Sequence, residues 1–434
     1  MKQLTRLFIP ICLETLFYML SGMVDTLMLS AVGDYAVGAV GTANSYIGIF
    51  IIMFSIISSG MVSVMTQNIG AGRPGVAYQA RQLGFLFNAV AGVLMAVFLF
   101  SGAGAILRMV GIADALYEPA LIYLKIVGGG CILNAVIPIF SSYLRAFGYT
   151  KQPLYATIVG NIANFVMNAV FLFVLHKGVA GVAAATVISK ILNLCIVLYF
   201  SHKLISAKNS TERIANKTVL GQIVKVGLPS ACETALYNVA MMLVIRFLNQ
   251  MDAEGLNVTA RSYTATISNF SYCVGGGLAQ ANAIMTGWHI GAGELEECDR
   301  GTKRAAFVGV CVAVCMETAI VLGSGFIMPL FTDNPEMTAL VRKLLAIDIV
   351  LEIGRVTNLV FGQALKTSGD AVFPAVIAAV FMFVFAVGGT WLFGISMGLM
   401  AVGAYIGLAS DECVRAVGMV WRWKTGKWRT KKLV

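Results

Sequence analysis

The chain is 434 residues long, 58% hydrophobic and only 12% charged, with a formal net charge of +10. A soluble domain carries about 25% charged residues, so charge this sparse, spread between apolar runs of about twenty residues or more, means that the solvent is lipid. The runs lack period-two alternation, which excludes barrel strands and leaves helices as the way to satisfy every backbone group in a bilayer.

In chain order, apolar runs between charged or Gly/Pro breaks predict twelve spans, at 7–31, 42–66, 81–106, 117–144, 153–175, 179–201, 223–249, 262–288, 303–329, 337–364, 372–393 and 398–421. The breaks at 176–178 and 394–398 are short. They are required because a helix of more than about forty residues would overshoot a hydrocarbon core of about 30 Å. Lysine and arginine concentrate in alternate loops, around 2–6, 73–81, 145–151, 203–225, 300–304 and the tail "RWKTGKWRTKK", which predicts cytoplasmic termini in a bacterial inner (plasma) membrane. The first run is too long for the apolar core of a signal peptide, so no cleavable signal is expected. The basic tail with Trp421, Trp423 and Trp428 reads as an interfacial anchor on anionic lipid, and nucleic acid is not an expected partner.

The nine cysteines are scattered without a CxxC pair, and His176, His202 and His289 read as loop residues far apart. Neither a disulfide framework nor a metal site nor any cofactor is expected. No GxxxxGK[ST], HExxH or GxSxG constellation occurs, so an enzyme is not expected, and any transport must draw on an ion gradient. The segments "VGGG" at 127–130 and 274–277 fall inside apolar runs, where glycine permits close packing or bending.

The stretch "IPICLETLFY" from Ile9 returns as "LPSACETALY" from Leu228, aligning Pro10, Glu14, Thr15 and Tyr18 with Pro229, Glu233, Thr234 and Tyr237. Three further pairs keep the same order: "NIGAG" at 68–72 with "HIGAG" at 289–293, "LRAFGYTKQP" at 144–153 with "LKTSGDAVFP" at 365–374, and "GVAGV" at 178–182 with "GLMAV" at 398–402. Each half holds six spans, an even number, so the halves are parallel repeats related by a pseudo-twofold axis along the membrane normal. The expected fold class is therefore an all-α integral membrane protein of two six-helix bundles. Its expected parts are an N-lobe at 1–201, a cytoplasmic linker at 202–222, a C-lobe at 223–421 and a basic tail at 422–434.

Ionisable groups inside spans cost roughly 2.5–3.5 kcal/mol each on insertion scales, so they mark sites or partners. Glu14, Tyr18 and Asp25 share one face of the first span. Glu14 reads either as a functional carboxylate or as a cap or ion-pair member, whereas Asp25 lies deeper with no basic residue near it in sequence. Asn161, Asn164 and Asn168 form a polar stripe on the fifth span, either functional or an interhelical hydrogen-bond ladder, and Thr186 of the sixth can join it. On the tenth span Asp348, Glu352 and Arg355 form a charged stripe in which Glu352 and Arg355 pair. Glu233 lacks a local partner, and Asp411 or Glu412 can reach Arg415 in a cluster read as solvated or structural. Arg246 and Glu317 also lie within spans, without an assigned role.

These elements together, with "VDTLMLSAVG" at 24–33, "QNIGAGRP" at 67–74, "LRAFGYTKQP", "GNIANFVMN" at 160–168 and "GVAGVAAAT" at 178–186, resemble the multidrug and toxic compound extrusion (MATE) transporters over nearly the whole chain. The resemblance implies an antiporter that exports small amphipathic or cationic compounds in exchange for H+ or Na+. It places the cation-coupling carboxylate at Asp25, surrounded by Asn164, Asn168 and Thr186. Asn168 stands where the DinF-like branch is acidic. Tyr237 and Arg355 stand where the NorM branch has its C-lobe acids, leaving Glu233, Glu352 and Arg355, with Glu14, Tyr18 and Tyr237, as the substrate or gating set. A flippase for lipid-linked saccharides is the alternative. The expected partners are small-molecule substrates and membrane lipid, and the expected state is a monomer.

Overall fold

A computed structural model of the chain describes residues 2–110, 112–205, 212–252 and 254–434. Among the described residues the chain is all-helical. Thirteen α-helices run in order: α1 (Lys2–Ser30), α2 (Asp34–Gly70), α3 (Pro74–Val110), α4 (Asp114–Gly129), α5 (Cys131–Ala146), α6 (Lys151–Ala169), α7 (Gly178–Leu204), α8 (Asn216–Met251), α9 (Leu256–Ala292), α10 (Leu295–Ile327), α11 (Pro335–Ser368), α12 (Val372–Phe381) and α13 (Met400–Lys424). Eight helical segments are long and apolar enough to cross a membrane, or nine when α4 and α5 count as one span bent by 41° at Gly130. Helices α9, α11 and α13 fall outside that set because their polar residues dilute their hydropathy. Large apolar side chains face outward along the spans, with Leu322 at 75% and Phe326 at 88% exposure, as suits a protein dissolved in lipid rather than water.

The repeated motifs are structural punctuation. "NIGAG" and "HIGAG" stop α2 and α9 by placing Gly72 and Gly293 at φ of +74° and +79°, a left-handed conformation that glycine adopts without a Cβ clash. The fifth span of each half gives way to π-helix, at Val170–Val174 after α6 and at Met382–Val387 and Thr390–Ser396 after α12. Of the two "VGGG" segments, the first supplies the α4–α5 bend, and in the second a Cβ on Gly275 would come within 2.9 Å of Val356.

The chain divides into two compact units, one of Ile9–Gly227 and one of Met1–Phe8 with Leu228–Val434. The first has its core around Phe54, Leu99, Leu107 and Leu124; the second around Val244, Leu248, Leu344 and Tyr405.

Three expectations are corrected. Residues 216–222, expected in the linker, are already the first turns of α8, because Val219, Ile223 and Val226 form a buried apolar stripe; residues 206–211 of that linker lie outside the described residues. His202 and His289 are helical, in the last turns of α7 and α9. The tail is not a free lipid anchor. Helix α13 runs through Lys424, Trp428 stacks on Trp423 at 4.2 Å, and both rings are buried. Arg422 pairs with Asp370 at 2.7 Å and Arg429 with Glu296. Only Trp421, of these three tryptophans, keeps the exposed ring of an anchor.

Candidate functional site

In the first unit, the predicted stripe on α6 divides by depth. Asn161 Nδ2 donates to the Phe17 carbonyl at 2.8 Å, a structural tie to α1. One and two turns deeper, Asn164 and Asn168 are buried, and Asn168 Nδ2 donates both to Asp25 Oδ1 at 2.8 Å and to Asn164 Oδ1 at 3.2 Å. Asp25, Asn164 and Asn168 are thus brought together. Thr186 sits one residue further out. Its hydroxyl donates to the Val182 carbonyl at 2.9 Å and meets the buried Tyr123, which also meets Asn44 and feels the Asp25 charge. Tyr18 is 71% exposed.

Asp25 does have a basic neighbour, contrary to what its sequence surroundings indicate. The Lys190 charge acts on Asp25, and Lys190 Nζ donates to Asn134 Oδ1 at 2.8 Å. Lys190 lies one turn beyond Thr186 on α7. As a lone lysine in the apolar run "VISKILN" it meets the same insertion-cost criterion that singled out Asp25.

Glu14 resolves as an ion-pair member, with Arg145 Nη2 donating to its Oε1 at 2.7 Å. In the second unit Glu233 has a partner too: Lys366 Nζ lies 2.7 Å from its Oε2.

Glu233, Tyr237 and Arg355 line a cavity of about 470 Å³ in that unit, together with Asp348, Tyr405 and Arg415. Its wall is a charge network. Arg355 pairs with Glu352, which sits buried behind the wall, and its Nε lies 3.9 Å from Glu412. Arg415 holds Asp411 through two hydrogen bonds of 3.0 and 2.7 Å and also meets Glu412 at 2.8 Å, while Asn358 donates to the other Glu412 oxygen. Asp411, Glu412 and Arg415 are all buried, so the cluster lies in the cavity wall and not in open solvent. Burial is tolerated because each charge has an opposite partner with good geometry.

One cluster escaped the sequence reading. Cysteine and histidine spacing gives no sign of it: Glu317 of α10 and Asp348 and Glu352 of α11 each bring a carboxylate oxygen within 4.8 Å of the others. The lone Glu317 in "VCMETAI" was the available signal.

Comparison with known proteins agrees with this architecture. The MatE family signature matches the chain twice, at residues 10–170 and 229–392; the matches begin at Pro10 and Pro229, the prolines that open the repeat. The "Uncharacterized transporter YisQ" of Bacillus subtilis (strain 168) is 32% identical over 428 residues, spanning 97% of this chain and 94% of that protein. The "Probable multidrug resistance protein NorM" of Thermotoga maritima is 22% identical, spanning 100% and 94%. Among solved structures, a MATE protein in the straight conformation superimposes with a TM-score of 0.86 at 21% identity, over 99% of this chain and 97% of that one. An outward-facing multidrug resistance MATE family transporter superimposes with a TM-score of 0.84 at 20% identity, over 98% and 96%. With its twofold signature, its all-helical spans and its two units, the chain belongs to the MatE family of membrane transporters.

Proposed function

We propose that the chain is a secondary active antiporter of a bacterial inner membrane, with both termini cytoplasmic. It acts as a monomer and exports small amphipathic or cationic organic compounds in exchange for H+ or Na+ by rocking-type alternating access. The observation that carries this reading is the 2.8 Å hydrogen bond from Asn168 to Asp25, which holds an ionisable carboxyl among amides inside an apolar bundle. A carboxylate there costs several kcal/mol unless it is neutralised or paired, so a cation or proton that arrives changes the local energetics sharply. Neutralising Asp25 removes the charge that engages Asn168 and Lys190, frees α1 to repack and weakens binding of a cationic substrate. Return of the charge reverses the step.

The second-unit cavity supports the organic-substrate part of the reading. It combines Tyr237, Tyr272 and Tyr405 with four carboxylates and four basic groups, a mixed surface suited to amphipathic molecules. A flippase for lipid-linked phosphosugars needs uncommitted cations to hold its phosphates. Of the cavity's four basic groups, Arg355, Lys366 and Arg415 each already hold a carboxylate, which leaves Arg261 alone, too few for a diphosphate.

The test is Asp25→Asn in proteoliposomes with an imposed H+ or Na+ gradient. Gradient-driven substrate movement is expected to disappear while the purified protein keeps its unfolding midpoint. Undiminished gradient-driven transport in the variant would rule the role out.

A further inference from the structure

We propose that Glu317, Asp348 and Glu352, with the hydroxyls of Ser268 and Ser271, form a binding site in the second unit for a hard cation of about the size of Na+ or Ca2+. Helix α9 supplies the two serines, α10 supplies Glu317, and α11 supplies Asp348 and Glu352 one turn apart. All five are sequestered: Glu317, Glu352 and Ser271 are 0% exposed, Asp348 is 2% and Ser268 is 4%.

What distinguishes this group from an ordinary acidic cluster is the state of its oxygens. Both oxygens of Glu317, Oδ2 of Asp348 and Oε2 of Glu352 are buried without a hydrogen-bond partner. The Ser268 and Ser271 hydroxyls adjoin the Asp348 and Glu317 carboxyls, yet they too complete no hydrogen bond of normal geometry. Six buried oxygens without partners on three packed helices are far more than a folded core tolerates by accident, since each orphan costs about 1–3 kcal/mol. Arg355 engages Glu352, and among the described residues no basic group forms an ion pair with Glu317 or Asp348.

Protons alone satisfy this group poorly, because each added proton supplies one donor while leaving the other lone pairs without a partner. A cation accepts lone pairs from all the oxygens together. The donor set is oxygen only, which selects hard cations over Zn2+ or Cu+. The carboxylate oxygens lie within 4.8 Å of one another, close enough for one ion to meet all three. A dry, all-protein oxygen site suits Ca2+, and Na+ of similar radius, better than Mg2+, which dehydrates reluctantly and keeps several waters. Asp348 and Arg355 also line the 470 Å³ cavity, which gives an ion a route to the site.

Binding is read directly, without reference to transport. The full chain, purified in detergent, is unfolded thermally while NaCl replaces choline chloride or KCl at constant ionic strength, with a parallel CaCl2 titration. The unfolding midpoint is expected to rise saturably with one of the two ions, and the arm that saturates names it. Glu317→Gln, which keeps the side chain's shape and removes its anionic oxygens, is expected to abolish the rise. Ser271→Ala is expected to weaken apparent affinity by about 10–100-fold, and it carries the test if the Glu317 variant does not fold. Asp25→Asn is expected to bind normally, so loss of transport there and loss of binding here are separable results. A midpoint indifferent to both ions, or a rise that survives Glu317→Gln and is unmoved by Ser271→Ala, overturns the proposal.

Discussion

Arg145 donates to Glu14 at 2.7 Å, and the same pair recurs 219 residues on, where Lys366 meets Glu233 at 2.7 Å. Each pair joins the first helix of a repeat to the repeated "LR"/"LK" position before the fifth span, so the duplication conserves an interaction and not merely a residue. All four side chains are mostly buried, so loss of either ion pair is expected to cost about 1.5–3 kcal/mol, the range for interactions with a charged group. Glu14→Gln and Glu233→Gln are each expected to lower stability by that amount. The exchange Glu14→Arg with Arg145→Glu is expected to recover most of the loss. A double-mutant cycle on unfolding midpoints measures this; additive single and double effects would mean that the pair contributes nothing.

The amides of α6 separate structure from coupling. Asn168→Leu removes the donor to Asp25 Oδ1, whereas Asn161→Leu removes only the tie to the Phe17 carbonyl. Losing a hydrogen bond to a charged group, about 1.5–3 kcal/mol, corresponds to roughly 10–150-fold. Gradient-driven transport is expected to fall by at least about tenfold in Asn168→Leu with the fold intact, and Asn161→Leu is expected to lower stability with transport per folded molecule retained. Initial rates normalised to folded protein discriminate the two.

How much of this was legible in the sequence depends on the range of the interaction. Apolar runs and the offset repeat report local hydropathy and chain order, so the span count, the helical class and the glycine stops could be read. The Glu352–Arg355 pair lies within one turn and was equally readable. Glu14 and Arg145 lie 131 residues apart, and nothing local ties Glu233 to Lys366 or Lys190 to Asp25. Those partners are chosen by helix packing, and a lone charge in an apolar run announces only that some partner exists. The three-carboxylate group is hidden for a further reason: Glu317 stands alone in the apolar stretch of α10, and its companions lie on the next helix. The tail misled because a Trp- and Lys-rich segment has the composition of a lipid anchor whether it faces lipid or folds back on its own unit.

That refolded tail is stabilising. Trp428 is 1% exposed, stacks within 9° of parallel on Trp423 and donates to the Trp423 carbonyl at 3.1 Å. Trp428→Ala is expected to cost about 3–5 kcal/mol, whereas Trp421→Ala, at an exposed ring, is expected to change stability by no more than about 0.5 kcal/mol. Denaturation of the two variants side by side gives the answer; equal effects would return the tail to the role of an anchor.

Helix α11 packs so closely on α13 that Gly354 leaves no room for a side chain, a Cβ there falling 2.7 Å from both the Cys413 nitrogen and the Glu412 carbonyl carbon. Gly354→Ala must push α13 outward and take Glu412 away from Arg355 and Arg415. A loss of about 1–3 kcal/mol is expected. Gly276→Ala, where a Cβ meets nothing within 4 Å, is expected to be neutral or mildly stabilising through helix propensity. Unfolding midpoints that rank the two variants the other way would contradict this packing.

Asp252, in the turn between α8 and α9, gives stability a pH dependence of known sign. Its Oδ1 accepts from the Leu256 amide at 2.8 Å and its Oδ2 from the Asn257 amide at 3.0 Å, and the Asn257 side chain donates as well. Two of the orphan donors at the start of α9 are thereby satisfied. Partial burial pushes the carboxyl up, but the hydrogen bonds from Asn257, Leu256 and Gly255 outweigh it and hold the group below the usual carboxylate range. A carboxyl depressed in the folded state stabilises above its unfolded value of about 3.9 and loses that contribution as pH falls through the folded value. Asp252→Ala is therefore expected to cost about 1 kcal/mol at neutral pH, with the gap from wild type narrowing as pH drops below about 4. Midpoints recorded from pH 7 to pH 3 check the sign, and a gap that stayed constant or widened on acidification would show that the ionised carboxylate is not what caps α9.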